Sequence, residues 1–175
     1  MKTVFRPVAV AAALLCFAGC SAPTSSTSYF DVGYTVNPDP ATAGESTGVQ
    51  YKVTNADSTV STYNYAYRSH FDVTIQEKAG YALDITAINL TLQQATGGIV
   101  ITPSGGDQVY FKFTSQAVTN HINAKGTAVV GFDVWYSLPS GGKEALATVG
   151  FSFSYTDSSN NTSTYSSTDN VKIAP

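Results

Sequence analysis

Apolar and polar residues alternate with a period of two along most of this chain. The longest run is YNYAYRSHFDVTIQE, residues 63–77. Its odd positions read Tyr63, Tyr65, Tyr67, Ser69, Phe71, Val73 and Ile75. Its even positions read Asn64, Ala66, Arg68, His70, Asp72, Thr74 and Gln76. Successive side chains of a strand point to opposite faces, so the run predicts one dry and one wet face. It is long for one strand, and a bend is expected near Ser69, the only small polar residue on the dry side. In YALDITAINLTLQ, residues 81–93, Tyr81, Leu83 and Ile85 alternate in one phase and Ile88, Leu90 and Leu92 in the other. One extra residue near Thr86-Ala87, a β-bulge, reconciles them. Lys78-Ala79-Gly80 supplies the turn between the two runs.

The same alternation recurs at Phe30, Val32, Tyr34 and Val36, and at Val49, Tyr51 and Val53. Further on it returns at Val109, Phe111 and Phe113, at Val130, Phe132, Val134 and Tyr136, and at Val149, Phe151, Phe153 and Tyr155. Val171 and Ile173 form the last pair. Pro-Ser-Gly-Gly occurs at 103–106 and 139–142, between strand patterns, and reads as hairpin turn chemistry. Helix signals are nearly absent. Eight or nine strands without intervening helices predict an all-β sandwich or barrel, and roughly 150 residues favour two packed sheets.

The N-terminus breaks the pattern. Val8 to Ala18 is apolar without alternation, after a basic head of Lys2 and Arg6. About 20 apolar residues are needed to span a bilayer, so this shorter run reads as a secretory signal. The sequence Phe17-Ala18-Gly19-Cys20 resembles the lipobox of bacterial lipoproteins, with Phe17 where that family prefers Leu. The resemblance implies cleavage between Gly19 and Cys20, diacylglycerol on the Cys20 sulfur, and acylation of the new amino group by a palmitate-type chain. Ser21 after the cysteine, rather than Asp, implies sorting to the outer membrane, with the domain facing the periplasm or the cell surface. An ordinary signal peptide cut near Ala18 or Ala22 is the alternative. The expected organisation is a signal peptide at 1–19, a Ser/Thr-rich tether at 20–28 and one domain at 29–175.

That domain resembles the immunoglobulin-like modules of secreted bacterial proteins. The likeness rests on FDVTIQEKAGYALDITAI, on NAKGT before a strand and on SYTDSSNNTSTYS before the last strand. It implies an immunoglobulin-like β-sandwich of about eight or nine antiparallel strands, used as a spacer or a binding domain. The paired cysteines of antibody-type domains are missing.

Cysteine usage and charge narrow the picture. Cys16 and Cys20 are the only cysteines, and both fall in or beside the signal, so no disulfide is expected in the mature domain. After removal of residues 1–19, seven basic residues face twelve acidic ones. No basic cluster exists to neutralise phosphates, which argues against nucleic acid as a partner.

Catalytic chemistry finds little support. His70 lies on a wet strand face between Arg68 and Asp72, His121 reads as a loop residue, and no G-x-S-x-G turn occurs. Two scattered histidines make no zinc site. Asp157-Ser158-Ser159-Asn160-Asn161-Thr162 is oxygen-rich but lacks the glycine and second acid of an EF-hand, and reads as a hairpin loop whose Asp bonds its own backbone. Asn37-Pro38-Asp39-Pro40 reads as a rigid turn. The acids are dispersed, with no pair set apart for glycoside hydrolysis.

The expectation is therefore a non-enzymatic, lipid-anchored binding or structural module without metal or cofactor. A carbohydrate-binding module is the alternative, and a hydrolase with an unseen site a distant third. The aromatic residues open to ligand contact are Trp135, Tyr136, Tyr63, Tyr65 and Tyr67. Alternation through Phe132, Val134 and Tyr136 places Trp135 outside with Asp133, while the tyrosines also suit core or edge packing. Besides the membrane, the partner is a protein or a glycan. The polar loop tips at 54–62 and 157–164 are further contact surfaces.

Overall fold

A computed structural model describes residues 30–94, 100–101, 111–138 and 141–175. These residues form twelve strands and no helix. The strands are β1 (Val32–Asn37), β2 (Ala41–Glu45), β3 (Gln50–Thr54), β4 (Val60–Asn64), β5 (Tyr67–Glu77), β6 (Leu83–Gln94), β7 (Val100–Ile101), β8 (Phe111–Ala117), β9 (His121–Ile122), β10 (Thr127–Tyr136), β11 (Ala145–Thr156) and β12 (Thr162–Ala174). Residues 1–29, with the predicted signal, Cys20 and the tether, lie outside the described residues, as does the first Pro-Ser-Gly-Gly.

The sequence predicts an all-β chain, and the described residues are all-β. The strand count and the purely antiparallel pairing need correction. One hydrogen-bonded path runs β7-β6-β11-β12-β2-β5-β10-β8, with β1 beside β5 and β9 beside β6. It is mixed, because β2 pairs in parallel with β12 through Ala41–Ile173 and Thr42–Ala174. From the very next residue, β2 pairs antiparallel with β5, starting at Ala43–Ser69. That switch joins what would otherwise be two sheets into a curled half-barrel. The curl brings the inner face onto itself: Phe132 on β10 meets Phe151 on β11 edge-on, with ring centroids 6.2 Å apart.

The core follows the alternation. Phe71, Val73 and Ile75 of β5, Val130, Phe132, Val134 and Tyr136 of β10, Val149, Phe151 and Phe153 of β11, and Val171 and Ile173 of β12 are all buried. On β6 the phase slip is a bulge. Ser152 pairs with Ala87 and Phe153 with Ile85, which leaves Thr86 as the extra residue. Leu83 and Ile85 before it, and Leu90 and Leu92 after it, therefore all face inward.

The bend expected at Ser69 is absent. Ser69 is buried within an unbroken β5, where its hydroxyl donates to the Thr42 carbonyl at 3.0 Å. The break comes earlier, at Tyr65-Ala66. Ser137 seals it, accepting from the Ala66 N–H at 2.8 Å and contacting the Asn64 carbonyl. Alternation hides this break because Tyr65, in the link, also turns inward. Before the break, β3 and β4 form a separate two-stranded hairpin.

At the other end of β5 the inward phase runs one residue further than the apolar pattern, to Glu77. Its buried carboxylate accepts the Gly80 N–H at 2.7 and 2.9 Å and the Lys125 N–H at 2.7 Å. Gly80, with φ of +100°, makes the expected turn.

Candidate functional site

The outer face of β5, β10 and β8 collects aromatic and charged side chains on three successive rungs. Strand register sets the rungs. Lys112, Trp135 and Arg68 form the first, Thr114, Asp133 and His70 the second, and Gln116, Gly131 and Asp72 the third. Neighbouring strands lie about 4.8 Å apart, so residues far apart in sequence become side-by-side neighbours.

Trp135 is half-buried and points outward, as its phase predicts. A cation from the strand on either side lies over its ring. Lys112 Nζ is 4.6 Å from the centroid and Arg68 Cζ 5.3 Å. Arg68 Nη2 also donates to Asp133 Oδ1 at 2.7 Å, and His70 Nδ1 lies 3.2 Å from the same oxygen. Burial pushes the Asp133 carboxyl up, but the hydrogen bonds and charges of Arg68 and His70 outweigh it and hold the group below the usual carboxylate range. His70 Nε2 lies 3.7 Å from Asp72 Oδ1. Gly131 leaves the space that Asp72 leans into: a Cβ there would meet Asp72 Oδ1 at 3.0 Å. The charges grade from two cations beside Trp135 to a carboxylate at Asp72.

The tyrosines do not join this face. Tyr136 is fully buried, with its hydroxyl donating to the Lys143 carbonyl at 2.6 Å, and burial raises its pKa. Tyr65 is buried. Neither offers a ring face to a ligand, which corrects their placement among the contact residues. Tyr67 is half-buried and donates to the Gly141 carbonyl at 3.2 Å. Tyr63 is exposed, but on the β3–β4 hairpin, with its ring 6.3 Å from Tyr51.

A second concavity, of about 390 Å³, lies at the Glu77 end of the molecule, lined by Ala82, Asp84, His121, Ser154, Tyr155, Thr156 and Thr162. His121 is not a loop residue, as expected, but part of β9 paired with β6. Its Nδ1 lies 2.8 Å from Asp84 Oδ1. Asp84 pairs on its other side with Ser154. The rung order is therefore Ser, Asp, His. Ser154 and His121 stand two strand spacings apart, about 9.5 Å. A hydrolytic triad needs the histidine in the middle, within hydrogen-bond reach of the nucleophile.

In the 157–161 loop the Asp157 carboxylate accepts from the Ser159 and Asn161 N–H groups at 2.9 Å each, as expected of a loop that bonds its own backbone. Among the described residues no group of three or more His, Cys, Asp or Glu is placed to hold a metal ion. The described residues contain no helix, and so none that is long and apolar enough to cross a membrane.

No protein-family model matches the sequence, and no curated protein or solved structure matches it. The site must be read from its own geometry. Three features escape sequence reasoning: the two cations on Trp135, the Arg68–Asp133–His70 cluster and the Asp84–His121 pair. Apart from Arg68 and His70, which share β5, the partners come from different strands and lie 23 or more residues apart in the chain, and only strand register joins them. The outward phase of Arg68 and Lys112 beside buried neighbours was the available signal.

Proposed function

We propose that this chain is a lipid-anchored module of the bacterial cell envelope, attached through Cys20 to the outer membrane, that binds a partner without catalysing a reaction. The finer fold reading is an immunoglobulin-like sandwich. Its support is the apposition of the two halves of the curled sheet across Phe132 and Phe151. The observation that carries the functional reading is where the Trp135 face lies. Val32 pairs with Glu77 at one end of β5, so Phe30 and the chain leading to Cys20 join there. Trp135 pairs with Arg68, nine residues further along β5 and about 30 Å away. An anchor at Cys20 thus leaves the Trp135 rung at the end remote from the tether. The Ser154–Asp84–His121 order argues against the hydrolase reading.

A carbohydrate ligand is the second reading, favoured by a half-exposed tryptophan among hydrogen-bonding groups on a rigid sheet. Mass spectrometry of the mature N-terminus tests the anchor. The expected mass is that of a chain starting at an acylated Cys20, and an unmodified start elsewhere removes the address. A glycan array tests the ligand: saturable binding that Trp135→Ala abolishes is the expected outcome.

A further inference from the structure

We propose that the Lys112–Trp135–Arg68 rung binds the carboxylate of an acidic glycan of the polyuronate type. This rests on the carbohydrate reading above and names the charge of the sugar. The two cations decide it. A neutral sugar stacks on an open aromatic face, but the cations lying over this ring belong to β5 and β8, the strands on either side. Such a ligand would have to displace a cation from the ring and give it nothing in return. A carboxylated sugar meets the same cations as ion-pair partners, so the charge it brings offsets the cation–aromatic contact that it displaces.

The cations are also unequally committed. Arg68 engages Asp133 through Nη2, and its planar guanidinium carries further N–H donors of the geometry that suits a carboxylate. Lys112 is exposed and, among the described residues, has the Trp135 ring but no carboxylate beside it. Asp133 does not repel the ligand at full strength, because Arg68 and His70 both face it. The other carboxylate of the face, Asp72, sits two rungs away. The strands that carry the two cations are two spacings apart, about 9.5 Å, and the charged groups of both converge on the ring between them. In a chain with more acids than bases, this pairing of two cations on one aromatic ring is a local reversal of charge.

The test is titration of the full chain in detergent with polygalacturonate, with its fully methyl-esterified form and with dextran sulfate. The acid polymer should bind saturably and more weakly as salt rises, and the ester should not bind. Lys112→Gln should weaken binding roughly tenfold, as loss of one charge-assisted contact does. Trp135→Ala should abolish it, and Lys172→Gln on the far strand β12 should leave it unchanged. Lys112 is exposed, so its variant stays informative if Trp135→Ala proves unstable. Equal, Trp135-dependent binding of acid and ester overturns the charge assignment and leaves the glycan reading standing. Equal binding of dextran sulfate overturns the choice of carboxylate. No saturable binding of the acid polymer overturns the proposal, and the glycan reading falls with it only if a neutral array is also blank.

Discussion

Glu77 carries the largest local electrostatic stake among the buried residues. It shares the core with 25 buried apolar side chains, and beside it only Ser69 is a buried polar one among the described residues. Burial alone would raise its pKa. The N–H groups of Lys125, Gly80, Tyr81 and Ala79 together outweigh burial and hold it below the usual carboxylate range. A pKa lowered by folding means stability that is present above the unfolded value, about 4.3, and lost as pH falls through the folded one. Glu77→Gln points an amide N–H₂ at donors that need an acceptor, and should cost about 2–3 kcal/mol at pH 7. Urea unfolding at pH 7 and at pH 3 checks both points: the gap between wild type and variant should shrink sharply in acid. A gap independent of pH would mean that the carboxylate charge is not what holds the Gly80 and Lys125 loops together. Core aromatics act by volume instead. Phe132→Ala should cost about 3–5 kcal/mol at either pH, since the ring meets Phe71, Phe113 and Phe151 and leaves a cavity.

At the scale of elements, β6 shows most clearly how pattern and geometry relate. The two apolar phases of Leu83/Ile85 and Leu90/Leu92 are incompatible with a regular strand, and Thr86 absorbs the difference. Deleting Thr86 would put Leu83, Ile85, Leu90 and Leu92 into one regular alternation, so the inward set survives and only the local twist and the Thr86–Ser152 bond are lost. Inserting one residue after Asn89 would turn Leu90 and Leu92 out to solvent. The insertion should therefore lower the melting temperature far more than the deletion, a comparison that thermal unfolding of the two variants makes directly. Alternation read this bulge correctly because both flanks are strongly apolar. It misplaced the break before β5 because Tyr65 keeps the phase while leaving the sheet. It also took His121 for a loop residue, because a two-residue strand carries no period of its own.

For the whole molecule, stability rests on one continuous core rather than on crosslinks. Both cysteines precede residue 21, so the melting temperature of the domain should be the same with and without a thiol reductant, as measured by circular dichroism. A drop on reduction would show an intermolecular bridge. The alternating apolar residues by themselves determined the all-β class, the inward face of each long strand, the bulge on β6 and the outward direction of Trp135. Those properties are local, set by which side of a pleat each residue occupies. Only the tertiary structure decided which strands are neighbours. It made β2 join the two halves into one curled sheet, set Lys112 and Arg68 on either side of Trp135, and placed Asp84 between Ser154 and His121. Register across strands is a long-range choice, fixed by how the whole apolar face closes on itself, and no window along the chain contains it.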